Sequence, residues 1–227
     1  MSNSTRKAIT GILAALWLAS SAWGQNTHPI TGRQYAGPMG VGGAPWLVRS
    51  EREAEEKPDL ALDELKIAPG STVADIGAGV GYMSWRMAER VGPKGKVYAN
   101  DIQPQMIELL KKNIEQRHLP NVIPVLGEPD DPKLPPGQID LVLMADVYHE
   151  FTEPQKMLRH IRNSLKPDGR MVLLEYRAED PNVPIMPLHK MTVAQVKAEI
   201  EPEGFRLDKV IESLPRQHII IFVRKAN

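Results

Sequence analysis

The chain has 227 residues, enough for one substantial hydrophobic core and short for two. Its 28 basic and 28 acidic side chains balance and aromatics make up 5%, so it has neither the basic surplus nor the stacking residues of a nucleic-acid binder. There is no cysteine, which excludes disulfides, thiolate metal ligands and cysteine nucleophiles.

Residues 1–24 read as a secretory signal peptide. Arg6 and Lys7 precede an uncharged run from Ala8 to Gly24, and Ala22 and Gly24 have the small-residue spacing of a signal-peptidase site, with cleavage before Gln25. The run is marginal as a bilayer span. A periplasmic or secreted protein is therefore expected; an uncleaved leader would make it anchored in the inner membrane. Residues 25–50 are rich in Gly and Pro and show no period, which predicts an extended arm. Residues 51–227 are expected to form the folded domain.

Residues 46–67 turn helical, with glutamates in the first turns and apolar Leu60, Leu62, Leu65 and Ile67; Pro69-Gly70 closes the run. The chain then alternates. Strand-like runs cover 72–76, 96–101, 121–126, 139–146 and 170–176, and helix-like runs cover 82–91, 104–117 and 153–165. "KPDG" at 166–169 reads as a helix stop followed by a turn. Such alternation predicts an α/β fold, parallel strands joined by right-handed crossovers with helices on both faces. After a helix ended by Gly204, "RLDKVIESLP" and "RQHIIIFVRK" are separated by only a short turn, so they are expected to pair antiparallel.

Between the first strand and helix stand Gly77, Gly79 and Gly81, preceded by Asp75. A turn this tight needs positive φ, which glycine tolerates, and it lets backbone N–H groups approach a ligand. The pattern is G-x-G-x-G rather than the G-x-G-x-x-G of nicotinamide and flavin sites. Twenty residues after Gly81 the second strand ends in Asp101, where a carboxylate can accept both hydroxyls of a ribose or cap the next helix.

"VADIGAGVGYMSWRMA", "VYANDIQPQMIELLKK", "NVIPVLGEPDDPKLPPGQIDLVLMADVYHEF" and "LKPDGRMVLLEY" together resemble the successive motifs of class I S-adenosylmethionine-dependent methyltransferases, over roughly residues 52–225. The resemblance implies a Rossmann-like doubly wound sheet of seven strands in the order 3-2-1-4-5-7-6, the last strand antiparallel. It implies S-adenosyl-L-methionine as the methyl donor. It places Asp75, Gly77, Gly79 and Gly81 around the donor's methionine and ribose portions, Asp101 on the ribose and Ile102 against adenine. Glu128 stands where the family commonly carries an aspartate after glycine, facing the adenine amino group, with Asp130 and Asp131 near enough to share that role. Asp146 is counted with the donor-binding set.

In doubly wound sheets the ligand lies beyond the carboxyl ends of the strands. The fourth strand ends in "ADVYHEF" and the fifth in "EYR", so both tips face the donor. His149 is the candidate base or substrate orienter, with Glu150 or Glu175 supporting it, because an imidazole suits proton removal near neutral pH. Tyr148 and Arg177 are candidate substrate contacts. The long connection "PIMPLHKMT" (184–192) resembles a substrate-covering lid of this fold, with His189 and Lys190 closing over the acceptor and Met186 and Met191 as apolar walls. His149, His189 and His218 have no short ligand spacing, so no metal is expected.

The resulting expectation is an enzyme that methylates a small or medium-sized acceptor, with no nucleic-acid partner. The lack of cysteine argues against the trivalent-arsenic branch of the family. Two readings compete: a non-catalytic module that keeps the donor site, and a nicotinamide-dependent oxidoreductase, for which the required turn and a Tyr-x-x-x-Lys pair are absent from the sequence.

Overall fold

A computed structural model describes residues 26–225. The signal peptide expected at residues 1–24 lies outside them. Among the described residues, no helix is long and apolar enough to cross a membrane.

The strands are β1 (Thr72–Ile76), β2 (Lys96–Asp101), β3 (Val122–Leu126), β4 (Ile139–Ala145), β5 (Leu165–Arg177), β6 (Lys190–Met191), β7 (Phe205–Ile211) and β8 (Gln217–Arg224). They form one sheet in the order β3-β2-β1-β4-β5-β8-β7, with β6 paired to the end of β5. Strands β1 to β5 are parallel, and β8 runs antiparallel to both β5 and β7. This is the expected order and the expected antiparallel ending. The count differs: the two-residue β6 makes eight strands rather than seven, pairing Tyr176 with Lys190 and Arg177 with Met191. Two residues leave no periodic signature to read.

Alternation builds the two faces of the sheet, since successive side chains on a strand point oppositely. Val73, Leu141, Leu143, Val172, Ile219 and Ile221 pack under helices α2 (Pro58–Leu65), α3 (Tyr82–Val91) and α4 (Pro104–Gln116). Their alternates Ala74, Val142, Met144, Leu173 and Ile220 pack under α5 (Pro154–Ser164) and α6 (Val193–Ile200). Burial on both faces explains why "LVLM", "MVLL" and "IIIF" read as unbroken apolar runs.

Two local readings change. The single helix expected over 46–67 breaks into α1 (Arg52–Glu56) and α2, because Lys57 takes a left-handed φ of 49° ahead of Pro58. Proline bars its predecessor from the helical region, so the break falls there. The turn expected at 166–169 becomes a bulge inside β5: Ile139 faces Leu165 but Leu141 faces Arg170, two steps against five.

The arm is not simply extended. It forms short 3-10 turns at Val41–Gly43 and Trp46–Val48 and lies over the carboxyl ends of the strands. The Ala36 N–H donates to the His149 carbonyl at 3.1 Å, and Gln103 Nε2 to the Met39 carbonyl at 3.0 Å. Arg33 and Thr31 both donate to the buried Glu199 of α6.

Candidate active site

At the carboxyl ends of β1, β2, β4 and β5 lies a cleft of about 390 Å³, within the usual range for small-molecule sites. The arm (Met39, Trp46, Leu47) and the 184–189 segment (Ile185, Met186, His189) form its outer walls.

Its floor begins at the glycine turn. Gly77 and Gly79 have φ of 69° and 55°, conformations an L side chain adopts at a cost. A Cβ on Gly77 would lie 2.4 Å from Val147 Cγ2, and one on Gly79 would lie 2.8 Å from Leu47 Cδ1. Gly81 caps α3 and stays out of the cleft wall. The turn is held from β2: the Gly79 N–H donates to Asp101 Oδ2 and the Gln103 N–H to Asp101 Oδ1, both at 2.9 Å. Asp101 is 6% exposed, and burial raises its carboxyl above the usual range while three backbone N–H groups oppose that rise. Ile102 beside it presents a partly open apolar side chain to the cleft.

Asp75 is placed differently. It is buried behind the turn, where Ser84 Oγ donates to its Oδ2 at 2.5 Å. Burial pushes its carboxyl up to about 6, against the pull of Ser84. It ties β1 to α3 instead of touching the cleft. Glu128 is likewise outside: its carboxylate is exposed and paired with Lys133, and Pro129 forms the wall there. Asp131 also pairs with Lys133.

At the tip of β4 the chain turns sharply at Asp146, φ 53°. Gln217 Nε2 donates to Asp146 Oδ2 at 2.7 Å, while the buried Oδ1 meets no protein donor. Burial, with Glu56 and Glu175 adding, holds the Asp146 carboxyl well above the ordinary carboxylate range. A 3-10 turn, Tyr148–Glu150, follows and sends neighbouring side chains apart. Tyr148 enters the core, fully buried, and is no substrate contact. His149 and Glu150 line the cleft.

His149 Nδ1 is 2.7 Å from Glu175 Oε2, and His149 Nε2 is 3.1 Å from His189 Nδ1. Both His149 and Glu175 are buried. Burial works against protonation of His149, but Glu175 outweighs it and the imidazole's pKa is raised. For His189 burial prevails, reinforced by His149, and its pKa is lowered. Burial pushes Glu150 up to about 7, partly opposed by His149. The structure thus brings together His149, Glu150, Glu175 and His189.

The remaining expected contacts lie elsewhere. Arg177 binds Glu212 and the carbonyls of Leu214 and Pro215. Lys190 Nζ donates to the carbonyls of Asp180 and Val183, fastening the connection after β5. Met191 is core, whereas Met186 does line the cleft. His218 sits between Glu212 and Glu179 at 2.7 and 2.9 Å, away from the other two histidines.

Arg52 is a cleft residue that the sequence reading missed, and Tyr176, noted there only as part of the polar tip of the fifth strand, joins it. Arg52 pairs with Glu56 at 2.6 Å, and the Tyr176 hydroxyl donates to Glu56 at 2.9 Å, forming a buried wall opposite Asp146. The i,i+4 spacing of Arg52 and Glu56 was visible; that it faces a ligand cleft was not.

The family model described as "methyltransferase domain" matches residues 67–212. Among curated proteins, a protein-L-isoaspartate O-methyltransferase of Methanothrix thermoacetophila is 32% identical over 114 residues, 50% of this chain and 51% of that protein. An arsenite methyltransferase of Halobacterium salinarum is 27% identical over 167 residues, 69% of this chain and 42% of that protein. The chain thus spans about half the length of the curated relatives it matches. A solved S-adenosylmethionine-dependent methyltransferase from Aquifex aeolicus superposes with a TM-score of 0.77 at 26% identity, covering 81% of this chain and 98% of that one. With its sheet order and the family match agreeing, the chain belongs to the class I S-adenosylmethionine-dependent methyltransferases, and S-adenosylmethionine is its methyl donor.

Proposed function

We propose that the cleft transfers the donor's methyl group to a small or medium-sized acceptor whose nucleophilic atom meets His149. The observation that carries this reading is spatial. The glycine turn with Asp101 and the cluster of His149, Glu150 and His189 line one cleft, with Glu175 buried behind His149.

The residues present fit the donor. Gly77 and Gly79 line the cleft with bare backbone at positive φ, a turn that Val147 and Leu47 pack against too closely for any Cβ, so the amino-acid portion meets main chain there. Asp101, held by two backbone donors, and Ile102 both line the cleft; in this reading they would meet the ribose and the adenine. Asp146 Oδ1, buried without a protein donor, is an acceptor for the donor's positively charged end. When bound, the donor supplies an electrophilic methyl on a sulfonium. The chain's task is then to align the acceptor and manage its proton. Glu175 fixes the His149 ring, and Glu150 adds a second carboxyl on the same wall. The arm and the 184–189 segment exclude water from that end.

The cleft volume and its largely apolar outer walls support an acceptor of modest size rather than a folded macromolecule. The absence of cysteine sets the chain apart from thiolate-based arsenic chemistry. The leader read in residues 1–24 supports export; a mature protein beginning at Gln25 tests it, and Met1 retained in the cytosolic fraction overturns it.

The decisive experiment is an acceptor screen with tritiated donor. Once an acceptor is found, His149→Gln should lower turnover to S-adenosylhomocysteine by about 10²–10⁴-fold, the range for one positioned acid–base group, with donor affinity preserved. Full turnover in that variant would remove His149 from the reaction.

A further inference from the structure

We propose that His149 Nε2, His189 Nδ1 and the Glu150 carboxylate hold a divalent first-row transition-metal ion at the acceptor end of the cleft. All three ligand atoms lie within 4.8 Å of one another, and the two nitrogens are 3.1 Å apart. Two imidazoles on one ion, each roughly 2.0–2.1 Å from it, stand roughly 2.8–3.4 Å apart across octahedral to tetrahedral angles. The pair of rings already has that separation.

The surroundings match a ligand set as well. His149 Nδ1 is 2.7 Å from Glu175 Oε2. That carboxylate keeps the proton on Nδ1 and leaves the Nε2 lone pair aimed at His189, the carboxylate–histidine arrangement that orients metal-bound imidazoles. His189 is held on the other side. Its backbone N–H donates to the Met186 carbonyl at 2.9 Å, and the next residue enters β6 against the tip of β5, which fixes the main chain that carries the ring. The sequence could not display this set, because residues 149–150 and 189 lie about forty positions apart and meet through tertiary structure, with β6 paired to β5 next to His189.

Two imidazoles and one carboxylate suit zinc, iron, cobalt or manganese more than magnesium or calcium, which favour oxygen. Three protein ligands leave positions open, the form of a reactive site and not a structural one. The open side faces the cleft. An oxygen of the acceptor is the natural next ligand, and coordination lowers the pKa of a hydroxyl bound there. The inference rests on the methyl-transfer reading of this cleft and narrows it to acceptors carrying an oxygen nucleophile. His149 then meets the acceptor through the ion.

The test uses untagged full-length protein stripped with chelator, desalted, and titrated with Co²⁺ by absorption and calorimetry. One equivalent is expected, with a visible d–d band; His189→Ala should abolish both while folding normally. Glu175→Gln should weaken binding by about 10–100-fold, as loss of an outer carboxylate does. A stoichiometric band that survives in His189→Ala, or no binding by the wild type, overturns the proposal. Donor titration of the same metal-free samples separates the two claims. If donor binds and Co²⁺ does not, the metal site alone is lost; if donor fails too, the reading of the cleft falls with it.

Discussion

Substituting Gly77 by alanine probes the seam between the donor turn and the acceptor cluster. The added methyl would stand 2.4 Å from Val147 Cγ2 and 2.9 Å from Val147 Cβ. Rotating a β-branched side chain cannot relieve contact with its own Cβ, so the backbone of 146–148 must move. A left-handed alanine costs about 1–2 kcal/mol, and overpacking a filled site adds about 1–3 kcal/mol. The stiffer unfolded chain returns about 0.4–1 kcal/mol. The net expectation is a loss of about 1–4.5 kcal/mol, at roughly 2–4 °C of Tm per kcal/mol for a chain of this size. Gly79→Ala is the control. There the contact is the far methyl of Leu47, on the arm, which can swing away, so only the backbone term of about 0.5–1.5 kcal/mol remains. Urea unfolding followed by circular dichroism measures both. Equal losses in the two variants would refute the wedge against Val147. The same displacement should move His149, two residues on, so Gly77→Ala should also lower turnover more than donor affinity.

Asp75→Asn tests a buried acid. Its carboxyl titrates at about 6 in the folded chain and at about 3.9 when unfolded. A pKa raised by folding contributes stability that is present below about 4 and lost as pH rises through 6, up to about 3 kcal/mol. The variant should therefore gain on the wild type between pH 4 and 7; a pH-independent difference contradicts the shift. Glu199→Ala should release the arm, because Arg33 and Thr31 lose their shared acceptor. Limited proteolysis should then cut within residues 26–50 faster than in the wild type, and unchanged cutting rates would mean the arm is held by other contacts.

How much was legible follows from the physics of each element. Long strands such as "LVLMA" and "MVLLEY" announce themselves because both faces are buried. The break before Pro58 was missed, although a proline bars its predecessor from the helical region. The position of Asp101 at the tip of β2, within reach of the glycine turn, was legible from the spacing; that it holds that turn and the start of α4 through the Gly79 and Gln103 N–H groups was not. Tyr148, His149 and Glu150 are adjacent in sequence, yet a 3-10 turn sends the first into the core and the others into the cleft. No period distinguishes them. Arg177 and Lys190 were misplaced for a related reason: at the β5–β6 pairing both turn to backbone carbonyls of neighbouring segments and away from the cleft. The arm's position over the cleft depends on contacts such as Ala36 to His149, far apart in sequence, and its Gly- and Pro-rich composition carries no signal of them.

Calorimetric titration of S-adenosylmethionine into the wild type and Asp101→Ala tests the centre of the account. One equivalent should bind to the wild type. The variant should bind about tenfold to hundredfold more weakly, since it forfeits a charged hydrogen bond from the ribose worth about 1.5–3 kcal/mol. Absence of heat with well-folded wild type, or equal affinity in the two proteins, would contradict it.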